Sequence, residues 1–210
     1  MIGLLIKIAL SYLLGSVSGS MVVGSLRQVD IREQGSGNAG GTNAFRTQGF
    51  KFALFVVLID IGKGFLAAWL LPQFDLGKLD TDISLDVQML SCGFAVVVGH
   101  CFPLWHGFRG GKGAATTVGA LLFIHPLVVI PMITVWLIVL VLTGWVGLAT
   151  ILAAVTMVPA FLWMDGASGP LWLGIALAVF LIFTHRSNIT DMLNGTEYRF
   201  KKIMLRNWFS

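Results

Sequence analysis

The sequence predicts an all-α integral membrane protein with seven transmembrane helices, its N-terminus outside and its C-terminus cytoplasmic. Three observations carry that prediction. Of 210 residues, 56% are hydrophobic and only 11% are charged, less charge than a soluble domain of this size keeps on its surface. The apolar residues come in long runs, and a helical span needs about 20 of them. Alternating barrel patterning is absent, and in lipid a helix satisfies its own backbone polar groups. Such a chain has room for its spans and little else, so a single membrane-embedded domain over residues 1–210 is expected.

The apolar runs fall at about 2–24, 50–72, 85–98, 114–124, 127–142, 145–164 and 170–184. The first is too long for a signal-peptide core and lacks a convincing cleavage site, so it reads as a span. The stretch 114–142 is too long for one untilted span and short for two. His125-Pro126 and Pro131 divide it, because proline removes a donor and restricts its predecessor. Charge parity supports the division. Arg27, Arg32, Arg46 and Lys51 lie between the first two spans, and Arg186, Arg199, Lys201, Lys202 and Arg206 follow the last. Asp75, Asp80, Asp82 and Asp86, against a lone Lys78, lie between the second and third. The positive-inside rule places the basic segments in the cytoplasm and the acidic loop outside, which requires an odd number of crossings. The net charge of +4 therefore reports orientation rather than a nucleic-acid partner. Cys92 and Cys101 have no paired spacing and read as small buried hydrophobes, not as a disulfide or a metal site.

Three polar blocks interrupt the apolar chain, at 35–46, 99–116 and 185–197, and this topology puts all three on the cytoplasmic face. In the first, Gly37, Gly40 and their neighbours permit sharp turns whose N–H groups form an anion-holding concavity. Ser36, Asn38, Thr42 and Asn43 add neutral donors, and Arg46 adds a planar cation suited to phosphate. A flexible linker would also use glycine and serine, but has no need of Asn, Thr and Arg at these offsets. In the second block, His100 precedes Gly110-Gly111-Lys112-Gly113, and Lys112 sits where the chain enters the run starting at Ala114. A helix N-terminus there favours an anion. A nucleotide P-loop is excluded, because Gly113 follows the lysine in place of Ser or Thr and no strand precedes it. His106 and His125 read as interfacial or packing residues.

The third block carries His185 and Asn188 just past the last span. Its two Asn-x-Thr triplets, at Asn188 and Asn194, are chance matches if the block is cytoplasmic. Glu197 either orients a cation from another block or is simply solvated. The tail 199–206, interleaved with Phe200, Met204, Trp208 and Phe209, reads as an interfacial helix on anionic lipid. Asp60 and Lys63, three residues apart inside the second span, are either functional or a packing pair.

With these residues in place, the chain resembles the PlsY family of bacterial glycerol-3-phosphate acyltransferases, which use acyl phosphate as donor. The first block fits GSGNxGxTNxxR, the second GHxFPxxxxFxGGKGxAT, and the third His-Arg-x-x-Asn-Ile…Gly-x-Glu, in that order over the whole length. The resemblance implies a seven-span enzyme of the bacterial cytoplasmic (inner) membrane, its active site facing the cytoplasm. It would move a fatty acyl group onto the 1-hydroxyl of sn-glycerol 3-phosphate, giving lysophosphatidic acid and inorganic phosphate. By carry-over, Ser36, Arg46, Lys112, His185 and Asn188 hold glycerol 3-phosphate and form the catalytic set. The loop with Gly37, Asn38, Gly40, Thr42 and Asn43, and the turn with Gly110, Gly111 and Gly113, cradle phosphate, and His100 binds substrate beside them.

Acyl phosphate, glycerol 3-phosphate and membrane lipids are the implied partners, and the enzyme that makes acyl phosphate is a candidate one. No cofactor, metal or nucleic acid is expected. Acyltransferases using acyl-CoA or acyl-carrier protein carry His-x-x-x-x-Asp, whereas the residues five positions after each histidine here are Trp105, Gly111, Ile130 and Thr190. The rival readings are a transporter of an organic phosphate, a different lipid-phosphate enzyme and, last, a purely structural membrane protein.

Overall fold

The computed structural model describes residues 1–79 and 83–205. Asp80 and Asp82 of the acidic loop and Arg206, Trp208 and Phe209 of the tail lie outside the described residues, as does the Lys202 side chain. Among the described residues all regular structure is helical. Two compact units are present, Met1–His125 and Pro126–Ser210.

The first unit opens with α1, Ile2–Gly15, and α2, Gly19–Ser25. The continuous span expected over 2–24 is instead broken, with a bend of 45° between the two helices. Small residues make the break possible. A Cβ at Gly15 would fall on the Val96 carbonyl, and one at Gly19 would lie 2.6 Å from the Val56 carbonyl oxygen. Backbone groups freed in apolar surroundings cost several kcal/mol each unless they find partners. Here Lys63 Nζ donates to the Gly15 and Val17 carbonyls at 2.9 and 2.7 Å, and Asp60 Oδ1 accepts the Gly19 N–H at 3.2 Å. A cation thus caps the C-terminal end of α1 and an anion meets the first N–H of α2, the signs that each helix end favours.

The unit continues with α3, Gly41–Gln48, then α4, Phe50–Leu70, α5, Leu85–Cys101, and α6, Ala114–Ile124. Ser84 Oγ caps α5 by accepting from Val87 N–H. Helix α1 packs along α5 and α4 along α6. Glycine brings the backbones close: a Cβ at Gly64 would meet the Thr116 carbonyl and one at Gly119 the Ile61 carbonyl. Without a hydrophobic drive between helices in lipid, such small-residue contacts give the van der Waals gain. At 1.5 Å per residue, α6 is only about 16 Å long, half of a hydrocarbon core of about 30 Å.

The second unit holds α7, Pro126–Thr143, α8, Val146–Asp165, α9, Gly169–Thr184, and α10, Arg186–Leu193. Helix α8 packs against both α7 and α9. The division at His125-Pro126 is as expected, but Pro131 does not break the chain and lies inside α7, one of the interior prolines that membrane helices tolerate. Helices α9 and α10 meet at 52°. The tail is a 3-10 turn at Lys201–Ile203 rather than the start of an interfacial helix. It is held to the α7–α8 connection instead: Phe200 N–H donates to the Gly144 carbonyl at 2.9 Å, Arg199 stacks 4.1 Å over the Trp145 ring, and Met204 is buried against Gly144.

Four described helices are long and apolar enough to cross a membrane, and six spans result if each bent pair counts as one. The protein is an all-helical integral membrane protein.

Candidate active site

The first polar block is a loop organised from within. Asn43, on the first turn of α3, is buried. Its Oδ1 accepts the Ser36 N–H at 3.0 Å, and its Nδ2 donates to the Ile31 and Gln34 carbonyls at 2.8 and 3.0 Å. Both amide hydrogens are therefore spent on the loop itself, so Asn43 shapes the loop that carries Ser36, Gly37, Asn38 and Gly40. Ser36 and Gly37 are exposed, while Asn38, Gly40, Thr42 and Arg46 are half-buried. Arg46 follows Asn43 by three residues on α3, which puts the two on one helix face. Ahead of the loop, Arg32 Nη2 pairs with Asp30 Oδ2 at 2.6 Å. Those hydrogen bonds hold the Asp30 carboxyl below the usual carboxylate range.

The second block folds back on the end of α5. Gly110 N–H donates to the Cys101 carbonyl and Gly111 N–H to the His100 carbonyl, each at 3.2 Å. Close approach dictates glycine here, since a Cβ on Gly111 would land on His100 Nε2. Gly113 caps the N-terminus of α6 with φ of 93°, a left-handed conformation that favours glycine. Lys112, half-buried, thus precedes a helix start whose N–H groups face outward along the axis. Thr116 and Thr117, in the first turns of α6, are buried, and their hydroxyls have no hydrogen-bond partner among the described residues.

The two blocks are tied together. Arg32 Nη1 donates to the His106 carbonyl at 3.1 Å, and a long 3.5 Å contact joins Ala39 N–H to the Gly110 carbonyl. The structure thereby brings Ser36, Asn43, Gly110 and Gly111 into one neighbourhood of the first unit. His100 lies beneath it, buried, with Nδ1 2.9 Å from Lys63 Nζ and 3.3 Å from Asp60 Oδ1. Lys63 and Asp60 themselves are 2.9 Å apart. The sequence marks Asp60 and Lys63 as a pair; it gives no sign that a histidine 37 residues on completes them.

In the second unit, His185 and Asn188 stand at the α9–α10 corner. His185 is buried and its Nδ1 lies 2.8 Å from the Leu181 carbonyl. A carbonyl only accepts, so in the neutral ring Nδ1 carries the proton and Nε2 the lone pair. Asn188 Nδ2 donates to Glu197 Oε1 at 2.8 Å, so Glu197 orients this asparagine rather than a lysine or arginine. Asn188 also rests on Gly147 of α8, where an added Cβ would lie 2.7 Å from its own Cβ.

A family model described as glycerol-3-phosphate acyltransferase matches residues 5–195, most of the chain, with the first two blocks whole and the third as far as Gly195. The chain belongs to the glycerol-3-phosphate acyltransferase family. The glycerol-3-phosphate acyltransferase of Bacillus subtilis is 41% identical over 196 residues, covering 92% of this chain and 96% of its own. That of Chlorobium luteolum is 36% identical over 229 residues, covering 95% and 97%. Among solved structures, PlsY (YgiH), an integral membrane glycerol 3-phosphate acyltransferase, is similar in its glycerol 3-phosphate form, with a TM-score of 0.81, 33% identity and coverage of 94% and 95%. Its lysophosphatidic acid form matches with a TM-score of 0.78 and 32% identity, covering 94% of this chain and 95% of that one. This likeness extends the family membership to the helical fold as well as the motifs.

Proposed function

We propose that the chain transfers a fatty acyl group from acyl phosphate to the 1-hydroxyl of sn-glycerol 3-phosphate, as one membrane-embedded domain of the bacterial inner membrane. Seven crossings, with the N-terminus outside and the polar blocks cytoplasmic, complete the proposal. The observation that carries it is the meeting of the Ser36–Asn43 hydrogen-bonded loop with the Gly110-Gly111 turn beside the α6 N-terminus. Glycine-built N–H concavities and two flanking cations, Arg46 and Lys112, suit two phosphate groups that must be held close despite their repulsion.

Acyl phosphate is a mixed anhydride and already activated, so alignment and charge management are the main tasks. The hydroxyl oxygen forms a bond to the acyl carbonyl carbon, the carbon–oxygen bond to phosphate breaks, and phosphate leaves. The hydroxyl proton goes to a phosphate oxygen of a substrate. Arg46, Lys112 and loop N–H groups stabilise the developing charge, each donor being worth roughly 3–4 kcal/mol by analogy with oxyanion holes. Ser36, His185 and Asn188 bind glycerol 3-phosphate, with the lone pair of His185 Nε2 accepting from one of its hydroxyls.

The decisive assay gives purified protein acyl phosphate and radiolabelled glycerol 3-phosphate without CoA, carrier protein or metal. Labelled lysophosphatidate is the expected product. Failure there, alongside turnover with acyl-CoA, overturns the donor assignment. His185→Ala is expected to raise KM for glycerol 3-phosphate; lost turnover at saturating substrate with unchanged affinity makes His185 the base instead.

A further inference from the structure

Asp60 and Lys63 lie outside the set that touches substrate in the reading above, yet with His100 they form a buried cluster that underlies the Gly110-Gly111 turn. All three side chains are at most 4% exposed. Among the described residues Lys63 Nζ has four neighbours for three hydrogens: the Gly15 and Val17 carbonyls at 2.9 and 2.7 Å, Asp60 Oδ1 at 2.9 Å and His100 Nδ1 at 2.9 Å. The two carbonyls only accept and fix two hydrogens. The third lies between Asp60 Oδ1 and His100 Nδ1. An N–H on His100 Nδ1 would point its hydrogen at the ammonium, whereas a lone pair there is attracted to it. Asp60 Oδ1 is the more distant neighbour of that nitrogen, at 3.3 Å.

We propose that Lys63 is a positioning residue that holds His100 in the tautomer with its proton on Nε2, making the ring a fixed donor under the Gly110-Gly111 turn. The direction follows from the packing, since Nε2 is the ring atom nearest the position a Gly111 Cβ would take. A second partner of a histidine commonly decides which nitrogen carries the proton, as around metal ligands. Here a lysine anchored to the α1–α2 break does so. The break and the turn are thereby joined through two side chains, and His100 adds one oriented N–H to a site that collects them for phosphate. This role rests on the acyltransferase reading; the tautomer does not.

Two measurements test it. The full-length protein, labelled with 15N-histidine in lipid bilayers, is examined by solid-state NMR, the His100 signals being those lost in His100→Gln. The expected spectrum has His100 Nε2 protonated and Nδ1 unprotonated; the reverse, or an imidazolium, overturns the proposal without reference to activity. Folded Lys63→Met is expected to shift the His100 proton to Nδ1, facing Asp60. An unchanged signature removes Lys63 from the role, and if that variant does not fold, the wild-type spectrum still decides. In the glycerol-3-phosphate acylation assay, His100→Gln, whose amide N–H overlies Nε2, is expected to keep at least tenfold more kcat/KM than His100→Asn, whose amide overlies Nδ1. Equal losses with the expected spectrum overturn the part His100 plays in the reaction, while absence of acylation by the wild type overturns the activity reading and leaves the tautomer result standing.

Discussion

Asn43 Oδ1 accepts the Ser36 N–H at 3.0 Å, so one buried side chain seven residues away sets the direction of the loop that carries Ser36. Asn43→Asp is the discriminating change. It replaces two donated hydrogens with a carboxylate oxygen facing the Ile31 and Gln34 carbonyls. A loss of about 1–3 kcal/mol or more is expected, with at least a tenfold fall in acylation rate. Thermal unfolding of the purified protein checks it; a midpoint equal to wild type would show that the amide does not hold the loop.

Gly147→Ala tests the support behind Asn188. The new methyl would meet the Asn188 side chain at 2.7–2.9 Å, and displacement of a positioning group by about 1 Å can cost on the order of 100-fold in rate. Initial rates should fall while the helical content seen by circular dichroism stays unchanged. Retained activity would mean that Asn188 need not stay where it is.

Glu197 separates geometry from charge. Glu197→Gln keeps an oxygen that accepts from Asn188 and should leave activity within about threefold, whereas Glu197→Ala should lower it about tenfold or more, the scale of one lost hydrogen bond to a charged group. If the glutamine variant were as poor as the alanine one, the carboxylate charge itself would be required.

The Asp30–Arg32 pair gives a pH dependence of known sign. Arg32 lowers the folded-state pKa of Asp30 beneath its usual 3.8, so the stabilisation is present above that value and is lost as pH falls through the lower folded-state value. Asp30→Asn should therefore destabilise by up to about 1 kcal/mol near neutrality and approach wild type as pH falls progressively below 3.8. Thermal midpoints of both proteins across that window check it; a constant difference would remove the pair as its cause.

Much of the helical order was legible because lipid leaves the chain few options. Pro126 announces the split that separates α6 from α7, since a proline cannot donate and is at ease at a helix start. The break at Gly15–Gly19 was not legible: glycine and serine are ordinary inside membrane helices, and what makes them a break is Lys63, 46 and 48 residues away. Likewise α3 and α10 are short and polar, and only their neighbours show that they form. Among the residues expected at the site, the motifs single out Ser36, Arg46, Lys112, His185 and Asn188. They did not distinguish Asn43, committed to its own loop, from the groups beside it. The link from His100 to Lys63 and Asp60 joins two helices, α5 and α4, and leaves no periodic trace.

The polar knot at the α1 break has a consequence for biogenesis. The ribosome delivers α1 first, with carbonyls at its break that hydrocarbon cannot satisfy, while their lysine arrives on α4 and the histidine later still on α5. None of these segments is at ease in the bilayer alone. Stable burial of the α1 break is therefore expected only once α4 and α5 have joined it, which couples these three segments during insertion.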